Sequence, residues 1–222
     1  MKYLPFIFAA AFLFSCGEDP EEKVEPDFDG PVDARDDFQE VDQDFNSGEF
    51  KNPTHLKLLK ELDICVDLPQ DSTSYATCDP KNFQILEFRD DKPAEDAFIL
   101  VIRAVRMLPG GRGILPDRVV QVWERENGEL VNVNNFVGNL IAMRPGEGKI
   151  KDMVLQLNDP VDDASYDCYF KWDDSQFQFD QVMAIDFHDG KGPKAVKEEM
   201  IESVSKDVYN SLVERKIIYY GR

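Results

Sequence analysis

The sequence predicts an α+β fold, in which an antiparallel β-sheet of about five to seven strands is packed by a C-terminal amphipathic helix. Three observations support this fold class. Apolar residues alternate with polar ones through the middle of the chain, an Asn-Gly pair separates two strand-like runs, and a repeat of apolar residues at every fourth position occurs only near the end. The residues from 51 to 222 are enough for a single domain with one core.

The clearest local signal is the pair Asn127-Gly128, which lies between Val119–Glu126 and residues 129–134. Asparagine and glycine accept the two positive φ angles of a type I′ turn, so these segments are predicted to form a hairpin. Further strands are expected at residues 136–143 and 150–157. The segment 96–108 contains the run AFILVIRAV, which is apolar enough for a strand that is buried on both faces.

A second hairpin is predicted around the turn at residues 173–175. In the strand before the turn, alternate residues are mostly aromatic, and the apolar residues after the turn are predicted to lie on the same face of the sheet. This face consists of Tyr166, Cys168, Phe170, Trp172, Phe177, Phe179, Met183, Ile185 and Phe187. A face of this kind indicates a core. The alternative is a surface that stacks on carbohydrate or another ligand.

Two helices are expected. A short one covers residues 55–62, and a longer one covers residues 193–216, with Pro193 at its first position. The apolar stripe of the longer helix consists of Val196, Met200, Val204, Val208 and Leu212, widened by Ile201, Tyr209 and Val213. This stripe is predicted to pack on the sheet, and residues 217–220 are expected to form a final edge strand.

The start of the chain has the parts of an export signal, predicted to cover residues 1–15. Lys2 supplies a positive charge, an uncharged apolar run extends from Phe6 to Phe14, and Ser15 is small. The run is much shorter than the roughly 20 apolar residues of a membrane-spanning helix. Since no later stretch approaches that length, the mature chain is predicted to have no transmembrane helix.

The four residues Leu13-Phe14-Ser15-Cys16 resemble the lipobox of bacterial lipoproteins. The resemblance covers the first 16 residues only. It implies that diacylglycerol is attached to the sulfur of Cys16 and that the signal is cleaved before this residue, so the partner would be a membrane and no other cofactor is expected. The alternative is an ordinary secretory signal followed by a cysteine that is there by chance.

Residues 16–50 are predicted to form an acidic, extended tether. Between Gly17 and Phe50 there are 14 Asp and Glu residues against 2 Lys and Arg, in a chain whose net charge is −19. The acids at positions 18, 19, 21 and 22 resemble the surface-export signal of lipoproteins from some Gram-negative groups. The expected location is therefore the cell envelope, on the periplasmic or surface face of the outer membrane. This acidity argues against nucleic acid as a partner.

Once Cys16 is lipidated, the cysteines at 65, 78 and 168 remain, an odd number for an oxidising compartment. Cys65 and Cys78 lie 13 residues apart across a polar, turn-rich segment and are expected to form a disulfide. The alternative joins Cys168 to one of them. Zinc is not expected because there is no CxxC motif. The DxD stretches at 27–30 and 42–48 lack the ligand spacing of a calcium-binding EF-hand.

No catalytic residue can be assigned from the sequence. The two histidines are His55, expected to be solvated at a helix start, and His188, expected where a strand enters a turn; no GxSxG motif is present. The favoured hypothesis is a non-enzymatic, lipid-anchored binding or structural accessory module. The alternatives are a lipid-anchored hydrolase that uses acidic residues on glycans, and a protein-interaction or inhibitor subunit. A concave groove with facing carboxylates and exposed aromatic side chains would favour a glycan ligand.

Overall fold

A computed structural model describes residues 39–41, 49–66, 76–103, 106–107, 113–114, 118–146 and 148–221. The predictions for the export signal, for Cys16, for most of the acidic tether and for the two DxD stretches lie outside these residues. Within the described ranges, no helix is both long and apolar enough to cross a membrane.

The described elements are two α-helices and fourteen β-strands. In chain order they are β1 (Gln39–Glu40), α1 (Pro53–Glu61), β2 (Cys65–Val66), β3 (Ala76–Thr77), β4 (Phe83–Leu86), β5 (Ala97–Ile102), β6 (Arg106–Met107), β7 (Gly113–Ile114), β8 (Val119–Glu126), β9 (Glu129–Pro145), β10 (Lys151–Asp159), β11 (Ala164–Asp173), β12 (Gln176–Asp186), β13 (Lys194–Ala195), α2 (Ile201–Glu214) and β14 (Ile218–Tyr220).

Ten strands form the main sheet, in the order β4-β5-β8-β9-β10-β11-β12-β13, and β1 and β14 also pair with β9. Its neighbouring strands are antiparallel. The strands β2, β3, β6 and β7 form a second, small sheet. The mixed α+β character is confirmed, but the prediction of five to seven strands was too low. Short edge strands such as β1 and β13 have too few residues to show an alternating pattern.

Strand β9 is the centre of the fold and replaces the two separate strands predicted for 129–134 and 136–143. The first half of β9 lies between β8 and β14, and its second half pairs with β10. Gly138 pairs with Leu157 of β10, and a Cβ atom at this position would collide with the carbonyl oxygen of Gln156. A glycine at this position therefore lets the strand continue rather than ending it.

The predicted Asn-Gly hairpin is confirmed. Asn127 and Gly128 have φ angles of 52° and 90°, and Glu126 pairs with Glu129 across the turn. Strand β5 is buried on both faces, as its apolar run predicted. Ile99 and Val101 face the main core inside the curved sheet, whereas Phe98 and Leu100 contact a smaller core under α1.

The aromatic face of β11 and β12 is part of the main core, as predicted. Cys168, Phe170 and Phe177 are fully buried there. The predicted alternation fails only between the two register shifts that β12 makes against β11, and it is restored after the second shift. Ile185 and Phe187 therefore belong to the main core, as predicted. Met183, between the two shifts, lies on the opposite face, against a small cluster that includes Tyr169.

Helix α2 begins at Ile201 instead of at the predicted residue 193. The residues before Ile201 are not in the helix because they pair with the sheet. Strand β13 pairs with β12, and the Val196 amide donates to the Met183 carbonyl at 2.9 Å. A 3₁₀ turn at Glu198–Met200 then leads into the helix. The apolar stripe packs on the sheet as expected, except that Val213 is exposed. The predicted final strand is confirmed as β14.

The structure joins Cys65 to Cys78 in a disulfide, with their Cα atoms 5.1 Å apart. Closing a loop of this length stabilises a fold by about 3 kcal/mol in the chain-entropy model. Cys168 is a free, buried thiol within the main core. Burial raises the pKa of the Cys168 thiol, so this cysteine stays protonated and unreactive.

Candidate functional site

The candidate site is an open groove between helix α2 and the outer edge of strand β12, with a cavity volume of about 740 Å³. Small-molecule and peptide sites commonly fall in this size range. The groove is lined by Gln178, Phe179, Asp180 and Gln181 from β12, by Glu198, Ile201, Glu202, Ser205, Lys206 and Tyr209 from the helical segment, and by Tyr220 from β14.

The groove lies at a seam where the curved sheet nearly closes on itself. Strand β12 approaches β9 and β14 without a backbone ladder, and a side chain replaces it. The amide of Asn134, which is fully buried, accepts from the Phe177 N–H at 2.9 Å and donates to the Phe177 carbonyl at 3.1 Å. One asparagine thus satisfies both backbone groups of an edge residue.

Another side chain satisfies the outer edge of β12 further along, since the Ser205 hydroxyl on α2 accepts from the Val182 N–H at 2.9 Å. Tyr220 of β14 also lies beside this edge. Because the edge is covered by side chains and a helix, it is protected from pairing with another sheet. The space left between these bridging contacts is the groove.

The floor of the groove is aromatic. The rings of Phe179 and Tyr209 lie 5.0 Å apart, and the hydroxyl of Tyr209 is 3.4 Å from that of Tyr220. Phe179 also makes an edge contact at 5.7 Å with Phe170 in the main core. This contact fixes the floor to the rigid part of the sheet. Burial raises the pKa of Tyr220, so its hydroxyl remains a neutral hydrogen-bonding group.

The rim of the groove is mainly acidic. Asp180 pairs with Lys171 at 2.9 Å, which lies outside the groove. Glu198 and Glu202 are exposed and form no ion pair with any residue in the described part of the chain. Lys206 follows Glu202 after one helical turn. The rim therefore offers two unpaired carboxylates at one end and one ammonium group at the other.

A second arrangement has the connectivity of a Ser-His-Asp triad. The Ser165 hydroxyl lies 2.7 Å from His188 Nε2, and His188 Nδ1 lies 3.2 Å from Asp163 Oδ1. His188 follows β12, as the sequence predicted, and Asp163 lies in the turn between β10 and β11. The sequence did not predict this proximity, because His188 lies 23 residues beyond Ser165 and no motif links them.

The environment of this triad-like group does not suit nucleophilic catalysis. Ser165 is only 6% exposed, whereas the side chain of Asp163 is 89% exposed, the reverse of a triad in which the serine meets substrate and the acid is shielded. The Ser165 hydroxyl also donates to Asn158 Oδ1 at 2.8 Å, so its proton is directed away from the imidazole. The contacts instead tie the β10–β11 turn to the loop after β12.

We predict that Ser165 is not labelled by a fluorophosphonate probe, since its hydroxyl is buried and its proton is directed to Asn158. Mass spectrometry of the probe-treated, folded protein measures this. A Ser165→Ala variant, which lacks the hydroxyl, is the matched control. Stoichiometric labelling of the wild type that is absent in Ser165→Ala would establish an activated serine and overturn the structural interpretation.

His55 lies in the first turn of α1, as expected, but it is half-buried and lines a second cavity of about 620 Å³ between β1, α1 and β4. Burial lowers the pKa of His55, so the imidazole is neutral at pH 7. Among the described residues, no group of three or more His, Cys, Asp or Glu side chains is arranged to hold a metal ion.

Helix α2 is anchored at its C-terminal end by an ion-pair cluster that the sequence did not predict. Arg215 contacts Asp159, whose side chain is fully buried, and also contacts Asp162 at 3.0 Å. Asp159 additionally accepts from the Val161 amide at 2.9 Å. Beside this cluster, burial and the nearby carboxylate of Asp162 raise the pKa of Tyr166 to about 12.

We expect the stability of the protein to fall between pH 10 and pH 12. The pKa of Tyr166 rises from 10.0 in the unfolded chain to about 12 in the fold, so the unfolded state loses its proton first as the pH increases. The stability contributed by the neutral phenol is complete below pH 10 and is lost above it. Urea unfolding at pH 9 to 12 measures this; a Tyr166→Phe variant should show a shallower decline, and an equally steep decline would contradict the assignment.

In comparisons with known proteins, no family model, no curated protein and no solved structure matches the chain. The functional assignment therefore depends on the residues and geometry described above.

Proposed function

We propose that this protein is a lipid-anchored, non-enzymatic binding module of the bacterial cell envelope, and that it binds its ligand in the groove between α2 and β12. The observation that carries the proposal is an open cavity of ligand size with an aromatic floor and unpaired carboxylates on its rim. The lipobox-like residues at 13–16 and the acidic composition of residues 16–50 support the anchor and the tether.

The groove is better suited to binding than to hydrolysis of a glycan. A glycosidase needs one carboxylic acid that stays protonated, and this requires an apolar, shielded environment. The carboxylates of the groove, Asp180, Glu198 and Glu202, are all exposed. They can accept hydrogen bonds or attract positive charge, but they lack the shielding that a general acid needs.

A groove-blocking variant tests the binding function. Lys206 is exposed on the rim, so Lys206→Trp should fill the cavity without disturbing the core. Asn210→Trp is the matched control, because Asn210 is exposed on the same helix and does not line the groove. The readout is the thermal shift of each folded variant with a basic peptide, a neutral oligosaccharide and an acidic peptide.

We expect at least one of these ligands to raise the Tm of the wild type and of Asn210→Trp, and to leave the Tm of Lys206→Trp unchanged. A ligand that stabilises all three proteins equally does not use the groove. If no ligand distinguishes Lys206→Trp from its control, the proposed binding site is wrong.

A further inference from the structure

We propose that the groove recognises an extended segment rich in lysine, whose ammonium groups bind at the end that carries Glu198 and Glu202. This inference rests on the proposed binding function and adds the chemical class of the ligand. Three features support a lysine-rich ligand: the unpaired charges of the rim, the aromatic floor and the net negative charge.

The two glutamates are separated by one helical turn and so lie on the same side of the helical segment. Acids at the start of α2 also offset the helix dipole, and that role needs no ligand. Both glutamates nevertheless line a cavity, and neither forms an ion pair with a described residue. An ammonium group between them would gain charge-assisted hydrogen bonds from both carboxylates.

The aromatic floor provides a second, independent feature that suits a cation. Phe179, Tyr209 and Tyr220 line the same cavity as the two carboxylates, and the rings of Phe179 and Tyr209 lie 5.0 Å apart. A lysine side chain can lay its apolar stem on such rings while its ammonium group is attracted to their faces. The fold uses the same contact elsewhere: Lys171 lies 5.4 Å from the centre of the Tyr169 ring, and Lys194 lies 5.8 Å from that of Phe187.

The charge of the domain favours the same class of ligand. Residues 51–222, which include the groove, hold 30 Asp and Glu against 22 Lys and Arg, so the domain itself is negatively charged and attracts cations. The amides of Gln178 and Gln181 could bind the hydroxyl groups of a neutral sugar. A neutral sugar, however, would not compensate the charge of the two glutamates, whereas a lysine-rich segment would.

The test uses a tetra-lysine peptide with blocked ends and its Nε-acetylated form, in which the charges are removed. Binding to the full mature chain is measured by calorimetry at about 50 mM salt, where surface charges are weakly screened. The groove variant is Glu198→Gln/Glu202→Gln. The matched control is Glu199→Gln/Glu214→Gln, which removes the same charge from exposed positions that do not line the groove.

We expect the groove variant to bind the peptide about tenfold more weakly than the wild type, which corresponds to the loss of one or two charge-assisted hydrogen bonds. The control should bind as the wild type does, and the acetylated peptide should not bind. Equal weakening in both variants, or no binding of tetra-lysine by the wild type, would overturn the inference.

The same experiment separates this inference from the proposed function. If a neutral oligosaccharide binds and Lys206→Trp abolishes that binding, the groove is a binding site but its ligand is not cationic. If no ligand depends on the groove, both the inference and the proposed function are wrong.

Discussion

Replacing Phe170 with alanine is expected to lower the free energy of unfolding by about 4 kcal/mol, since it removes a fully buried ring and leaves a cavity. Phe170 lies where the curved sheet closes, 4.9 Å from the ring of Phe136 on β9 and 5.7 Å from that of Phe179 on β12. It therefore connects the centre of the sheet to the floor of the groove. Urea denaturation followed by tryptophan fluorescence measures the change.

Two further variants show whether the cost comes from the lost volume. Phe170→Leu should cost less than Phe170→Ala, because leucine fills part of the cavity. Tyr219→Ala should change stability by no more than about 0.5 kcal/mol, because Tyr219 is 58% exposed on β14. A cost of less than about 1 kcal/mol for Phe170→Ala would mean that this part of the core is loosely packed.

The second large effect is expected from Arg89→Met, at about 3 kcal/mol. Arg89 Nη1 lies 2.5 Å from Glu124 Oε1, and the Glu124 side chain is only 5% exposed. Removing the guanidinium leaves this buried carboxylate with Lys92, whose Nζ atom lies 3.2 Å from Glu124 Oε1, as its remaining ion-pair partner among the described residues. Arg89 also lies over the ring of Trp172 and pairs with Asp91, whose pKa it holds at about 2.

Arg125 is the matched control for this prediction. It forms the same type of ion pair with Glu61 and Asp96, but the side chains of these two acids are more exposed, at 38% and 35%. Arg125→Met should therefore cost about 1 kcal/mol or less. The double variant Arg89→Met/Glu124→Gln should recover part of the loss, because it removes the uncompensated charge. Equal costs for Arg89→Met and Arg125→Met would contradict the importance of burial.

The sequence predicted those parts of the fold that depend on local patterns. The Asn127-Gly128 turn, the doubly buried strand β5 and the apolar stripe of α2 each follow from a few neighbouring residues. The position of Met183 on the opposite face of β12 could not be predicted, because the register shifts on either side of it arise from pairing with β11. The predicted start of α2 was wrong for a similar reason, because residues 194 and 195 pair with β12 as a short strand.

The candidate site was harder to predict from the sequence, because its residues are brought together by long-range contacts. Asn134 lies between Asn132 and Asn135, so the sequence does not single it out as the buried amide that bonds Phe177. The groove also depends on three elements that meet only when the sheet curves. For the same reason, the proximity of Glu198 and Glu202 to the aromatic side chains of β12 and β14 could not be predicted.

We propose that the protein is held to a membrane by a lipid on Cys16, and fatty-acid labelling tests this most directly. Cells expressing the wild type or Cys16→Ser are grown with a radiolabelled fatty acid, and the purified protein and the membrane fraction are then examined. We predict that the wild type carries the label and sediments with membranes, and that Cys16→Ser carries no label and is released. Label of equal intensity on Cys16→Ser would contradict the lipid anchor.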